Sequence, residues 1–254
     1  MLGAIYGDKA GSIYEFSQLK EIKMVNPKQL IQPNSFYSDD TIETVAIIDA
    51  IINKKDYGEV LKEYILRYEN YKPKFKPYFK TSFSPGTIKW AKGEKGNDSI
   101  GNGAIMRISP VGYLFDTEED VIYNAKLATI CSHNSKEAVE CATIIALMIY
   151  YFRNGLTKEE VYKKLNLIIK YKPFSKFNTT CYETIGNILY AIYHSTSFED
   201  GIRKTLLMGG DTDTNACIVG SVLESLYGMN NEQKELAVKE LPNDFVKVLK
   251  KVYK

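Results

Sequence analysis

The stretch TIETVAIIDAIIN, residues 41–53, carries apolar side chains at Ile42, Val45, Ala46, Ile48 and Ile52. Their spacings mix three and four, which lines one face of a helix and does not fit the alternation of a half-buried strand. The same pattern recurs outward along the chain. Residues 136–152 are long, apolar and rich in Ala and Ile. Residues 157–169 open on Thr157 with Glu160 three later, a capping-box pattern. Residues 184–195, 197–208, 214–227 and 231–241 also read as helices, and Pro242 ends the last before a short amphipathic one. Strand-like runs are scarce and no strand–helix–strand alternation appears, which argues against a doubly wound sheet. The expectation is an all-α protein, a single compact multi-helix domain over residues 1–254.

Composition agrees with that class. With 254 residues, 44% hydrophobic and 25% charged, the chain can bury a sizeable core. The net charge of +2 is close to balanced and does not by itself imply a polyanionic partner. The start, MLGAIYGDKAGSIYEF, lacks a basic region and a long apolar run. The longest apolar run, near residues 142–152, is too short to span a bilayer. Cys131, Cys141, Cys181 and Cys217 form no paired motif, so reduced thiols, a cytoplasmic location and no membrane partner are expected. Residues 71–112, with Pro73, Pro77, Pro85 and Pro110, are the least regular and the expected ligand-facing region.

Two oxygen-rich clusters stand before apolar helical runs: SDDT at residues 38–41 and GGDTDTN at residues 209–215. Each suits a helix N-cap, and Asp40 with Glu43 fits a broad capping box. Yet a cap uses one side-chain oxygen and each cluster offers several. Crowded carboxylates repel unless a cation lies between them. Carboxylates and hydroxyls without His or Cys suit Mg²⁺ or Mn²⁺ and not Zn²⁺. Asp213, two residues after Asp211, is placed to bridge two such ions.

Four further features bear on a site. Gly3, Gly7 and Gly11 recur every four residues, which suits close helix packing. Asp8 and Glu15 share a helical face if that helix continues, making Glu15 a candidate general base beside the reading of a solvated carboxylate. GNG at residues 101–103 allows a tight turn whose exposed amides could cradle an anion, although such turns are common. Arg107 reads as a buried ion-pair partner in preference to a phosphate contact. His133 is either a satisfied core histidine or a cleft residue; Cys131, two positions before it, does not face it on a helix, so thiol catalysis is disfavoured. The stretch NYKPKFKPYFK, residues 70–80, interleaves Lys with aromatics as single-strand nucleic-acid binders do, but also as solvated loops do.

In order, GDKAGSIYE, SDDT, GNGAIMR, SH and GGDTDT resemble the ADP-ribosylglycohydrolase family, which includes the ADP-ribosyl-acceptor hydrolases and the dinitrogenase reductase-activating glycohydrolase. The resemblance runs from Gly3 to about Gly228. It implies an all-helical fold with a metal-containing cleft, two Mg²⁺ (Mn²⁺ as the alternative), and hydrolysis of the bond between ADP-ribose and an acceptor. It implies Ser38, Asp39, Asp40, Asp211, Asp213 and Thr214 as metal ligands, with Ser38 standing where the family usually has Thr. Glu15, Asp39 and Asp40 are the implied catalytic carboxylates, and Ser99, Gly101, Asn102, Gly103 and His133 the implied substrate contacts. Ile100 replaces an aromatic found in some relatives. The substrate implied is an ADP-ribosylated protein, with a nucleic-acid acceptor as the lesser alternative. A non-catalytic ADP-ribose-binding protein on the same fold is the competing function.

Overall fold

The computed structural model describes residues 1–73 and 81–253. In chain order the elements are α1 (Leu2–Gly11), a 3₁₀ helix (Glu15–Leu19), α2 (Asp39–Ile52), α3 (Tyr57–Tyr68), α4 (Pro85–Ala91), α5 (Gly103–Met106), α6 (Ser109–Leu114), α7 (Glu118–Ile130), α8 (Lys136–Arg153), α9 (Lys158–Lys164), α10 (Cys181–His194), α11 (Phe198–Met208), α12 (Thr212–Tyr227), α13 (Asn231–Val238) and α14 (Asn243–Val252). No sheet forms among the described residues, and two isolated bridges, Asp98 with His133 and Gly101 with Thr180, tie loops together. The all-α expectation holds. No helix of the described residues is long and apolar enough to cross a membrane.

Local chemistry explains most helix ends. Ser135, Thr157, Thr180 and Ser197 each accept an amide hydrogen bond at the start of α8, α9, α10 and α11, and Thr157 with Glu160 completes the expected capping box. Three extents differ from expectation by three residues or more. Helix α9 stops at Lys164, well short of residue 169, because Asn166 takes a left-handed φ of 50°. Helix α10 starts at Cys181 because Thr180 caps it against the Glu183 amide. Helix α13 ends at Val238, and Pro242 stands at the N-cap of α14.

Two central helices position the rest. Every residue of α1 is buried, as is every residue of α12 from Thr212 to Leu223. They pack backbone against backbone, which is what the repeating glycines are for. A Cβ on Gly3, Gly7 or Gly11 would fall 2.2, 1.9 and 2.2 Å from the carbonyl oxygens of Gly220, Ala216 and Thr212. Side chains next to that seam are therefore held close across it: Asp8 follows Gly7, and Asp213 lies about one turn before Ala216.

Candidate active site

Helix α2 enters the same end of the molecule through Asp8. The Asp8 Oδ2 accepts hydrogen bonds from the amides of Ser38 (2.9 Å) and Thr41 (3.2 Å) and from the Thr41 hydroxyl. This carboxylate thus pins the first turn of α2 onto α1. Ser38 caps α2, accepting from the Asp40 amide at 3.2 Å, and its hydroxyl also donates to Asp40 Oδ2 at 3.1 Å. The Asp40–Glu43 capping box expected from sequence does not form: Ser38 is the cap, and Glu43 turns inward to pair with buried Arg107.

Across the seam, Gly209 and Gly210 adopt φ of 68° and 78°, which lets the chain turn from α11 into α12. Asp211 occupies the N-cap of α12, yet its side chain makes no capping bond. It accepts instead from Asn102 Nδ2 at 2.6 Å, while its own amide donates to Asn178 Oδ1 at 2.8 Å. Thr212 and Asn215, to which sequence assigned no role, brace this turn. The Thr212 hydroxyl donates to the Gly11 carbonyl at 2.9 Å, and Asn215 Oδ1 accepts from Asn178 at 2.9 Å. Thr214 donates to Asp40 Oδ2 at 3.3 Å, joining the two oxygen-rich clusters directly.

The result is two overlapping groups of carboxylates. Asp8, Asp40 and Asp213 have oxygens within 4.8 Å of one another, and so do Glu15, Asp211 and Asp213. Asp213 belongs to both. Burial pushes each carboxyl upward, and neighbouring carboxylates push most of them further: Asp8 is raised to about 7 by burial and then by Asp213. Glu15, Asp39, Asp40 and Asp211 are held well above the ordinary carboxylate range by burial, with Asp213 among the charges that add to it. No Lys or Arg ion-pairs with these groups among the described residues. Asp8 Oδ1 and Asp40 Oδ1 are buried with no hydrogen-bond partner. Buried orphan oxygens on clustered carboxylates are the donor chemistry of a hard divalent cation, so the residues present fit the metals that the family resemblance implies.

Asp8 is the residue that the sequence reading left out of the candidate set. Its placement also corrects the expected route to Glu15. Helix α1 stops at Gly11 and Glu15 opens a 3₁₀ helix, so the two do not share one helical face. Both reach the cluster nonetheless, through Asp213.

The carboxylates form one wall of a cavity of about 500 Å³. Glu15, Asp39, Asp40, Asp211, Asp213 and Thr214 line it, as do Ser99, Gly101, Asn102, Gly103 and His133. Thr81–Pro85 and Met106 also line it, so the irregular region does face the cavity. Ser38 is buried beneath and does not line it. Two amides of the GNG turn are taken within the protein: the Gly101 amide donates to Ser99 Oγ at 3.1 Å and the Asn102 amide to the Thr179 carbonyl at 2.9 Å. His133 Nδ1 meets Ser132 Oγ at 2.7 Å, and its Nε2 faces Gly101 and Gly103. Burial first, then Arg107 and Lys95, hold the ring well below the usual imidazole range, so it is neutral. Arg107 is structural, as expected. Of the Lys–aromatic stretch 70–80, residues 74–80 lie outside the described residues.

Fold and cavity together define an all-helical protein built around a carboxylate cluster. Residues 1–252 match the family model described as ADP-ribosylglycohydrolase, and the chain belongs to that family of ADP-ribosyl glycohydrolase enzymes. It is 25% identical to ADP-ribosylarginine hydrolase Tri1 of Pseudomonas putida (strain GB-1), over 59% of this chain and 45% of that protein. It is 21% identical to ADP-ribosylhydrolase ARH3 of Mus musculus, over 90% of this chain and 83% of that protein. A solved structure titled "ADP-ribosylglycohydrolase-related protein complex" shares the fold at a TM-score of 0.69 and 18% identity, covering 93% of this chain and 95% of that one.

Proposed function

We propose that this protein is a divalent-metal-dependent hydrolase that cleaves the glycosidic bond between ADP-ribose and an acceptor. The observation that carries the metal dependence is the pair of carboxylate groups sharing Asp213, with orphaned oxygens on Asp8 and Asp40. Asp8, Asp40 and Asp213 would hold one ion, and Asp211 and Asp213 a second, with Asp39 and Thr214 adjoining. Mg²⁺ is the ion this oxygen set suits, with Mn²⁺ able to replace it. Bound ions of this kind orient ribose hydroxyls and lower the pKa of water.

The chain's own groups then have distinct tasks. Glu15 stands at the cavity surface beside Asp211 and Asp213, placed to take the proton of the attacking water as its oxygen bonds to the anomeric carbon. The departing acceptor leaves with the bonding electron pair and takes up the proton that Glu15 received from the water. Asn102, fixed by its bond to Asp211, keeps the GNG turn against the carboxylate wall. Neutral His133 presents Nε2 over Gly101 and Gly103, where it can hydrogen-bond a ligand oxygen without adding charge. Modified protein is the proposed substrate class, and the cytoplasm the proposed location. The binding-only alternative has no observation in its favour, because no acidic position of the cluster is lost.

The test is release of ADP-ribose from proteins modified on defined acceptors, after EDTA treatment and after adding back Mg²⁺ or Mn²⁺. Activity should vanish with EDTA and return with metal. Full activity in Asp39→Asn and Asp211→Asn would overturn the proposal.

A further inference from the structure

Asp211 opens α12 without capping it, so its own helix does not fix its carboxylate. The hold comes from outside: Asn102 Nδ2 donates to Asp211 Oδ2 at 2.6 Å. Asn102 is gripped in turn by two successive carbonyls, its amide by that of Thr179 at 2.9 Å and its Nδ2 by that of Asn178 at 3.4 Å. The Asn178 side chain also reaches Asp211 itself, accepting the Asp211 amide at 2.8 Å. One residue therefore holds Asp211 twice, through its own carboxamide and through Asn102.

Asn178 is 1% exposed and its carboxamide cannot turn over. A backbone N–H only donates, so Oδ1 must face Asp211. Nδ2, on the other side, donates to Thr184 Oγ1 of α10 at 2.8 Å and to Asn215 Oδ1 of α12 at 2.9 Å. Gly210 makes room for this group, since a Cβ there would stand 2.3 Å from Asn178 Oδ1. The segment that carries Asn178 is a thin partition. Phe177 and Thr179 line the carboxylate cavity, whereas Lys176 and Asn178 line a second cavity of about 370 Å³. Open space on both sides leaves hydrogen bonds to hold it in place.

We propose that Asn178 is a positioning residue: it sets the direction of the Asp211 carboxylate, and with it the affinity for the ion that Asp211 and Asp213 would share. It acts through Asp211 and Asn102 and not by touching the ion. Groups that orient metal-binding side chains in this way typically change metal affinity or activity about 10–100-fold when removed. The choice of ion rests on the metal-dependent reading above, whereas the hold on Asp211 does not.

Two measurements on the full chain test it. In EDTA, amide hydrogen exchange of residues 209–215 and 101–103 should rise about tenfold in Asn178→Ala, with residues 136–153 exchanging as in the parent. With Mn²⁺, electron paramagnetic resonance counts bound ions. The parent should hold two, and Asn178→Ala should hold the second about 10–100-fold more weakly. Thr184→Ser keeps the acceptor for Asn178 Nδ2 and should match the parent. Thr184→Val removes it and should fall between parent and Asn178→Ala; if Asn178→Ala does not fold, this pair carries the comparison. Ile188→Val, one turn along α10 and buried, loosens the core without touching Asn178 and should change neither readout. Parent-like exchange at 209–215 or unchanged Mn²⁺ affinity in Asn178→Ala overturns the proposal, as does an equal change in Ile188→Val. A parent that binds no Mn²⁺ refutes the metal-dependent reading instead, and exchange in EDTA then decides whether Asn178 holds Asp211.

Discussion

Adding one methyl group at Gly7 tests the seam on which the carboxylate cluster depends. A Cβ there would stand 1.9 Å from the Ala216 carbonyl oxygen, whereas ordinary contact begins at 3.4 Å, so α1 and α12 must part by about 1.5 Å. The obstacle is backbone, which no rotamer can relieve. Overpacking of a core costs about 1–3 kcal/mol, and this position belongs at the upper end. Alanine's better helix propensity returns about 1 kcal/mol. Gly7→Ala should therefore lose about 2 kcal/mol net, or about 4–8 °C in Tm for a chain of this size. Parting the helices also draws Asp8 from Asp213. A misplacement of about 1 Å can cost on the order of 100-fold in rate, so ADP-ribose release should fall further than stability alone explains. Ala216→Gly should not rescue the variant, because the clash is with a carbonyl and not with the Ala216 methyl. Gly96→Ala is the control, since nothing lies within 4 Å of its Cβ position. Differential scanning calorimetry and single-turnover release read the two effects. A Gly7→Ala protein that melts within about 1 °C of the parent and retains full activity would refute the argument.

The raised carboxyls make the metal-free protein pH-sensitive. Asp8 ionises near 3.8 when unfolded and at about 7 when folded, so folding holds an extra proton between those values and stability falls as pH rises through them. In EDTA, Tm should drop from pH 5 to pH 7, and saturating Mg²⁺ should remove most of the slope; a flat profile in EDTA contradicts this. Asp8→Asn should melt at or above the parent without metal, because one repelling charge is gone, yet lose at least half of the Mg²⁺-induced thermal shift. Glu43→Ala strands Arg107 as a buried charge and should cost about 3–5 kcal/mol, whereas Glu43→Leu with Arg107→Met should recover most of it in urea melts.

Much of this architecture was readable along the chain because helical signals are local. The 41–53 periodicity and the Thr157–Glu160 box each lie within a few residues of what they control. The two oxygen-rich clusters were readable as a site for a related reason, since each concentrates its ligand types in one turn. Asp8 was not, because it stands singly and its partners arrive from α2 and from α12. Its sequence neighbourhood announced only glycines. The GNG turn lines the cavity as read, yet two of its amides are used inside the protein. Its glycines suggested exposed amides, but Ser99 takes that of Gly101 and the distant Thr179 carbonyl that of Asn102. Capping at Ser38 could not be told from metal ligation by spacing alone. In the structure the same hydroxyl caps α2 and donates to Asp40.

The α1–α12 seam also sets an order of events during synthesis. The Thr212 hydroxyl and the Gly11 carbonyl it binds are 201 residues apart. At the usual pace of translation, about 5–20 residues per second, the first helix waits roughly 10–40 s for its partner. Throughout that interval its small-residue face lacks the surface it was shaped for, and Asp8 lacks Asp213. Whatever α1 does meanwhile on the ribosome, the cleft cannot be assembled progressively. It closes only when the last quarter of the chain arrives.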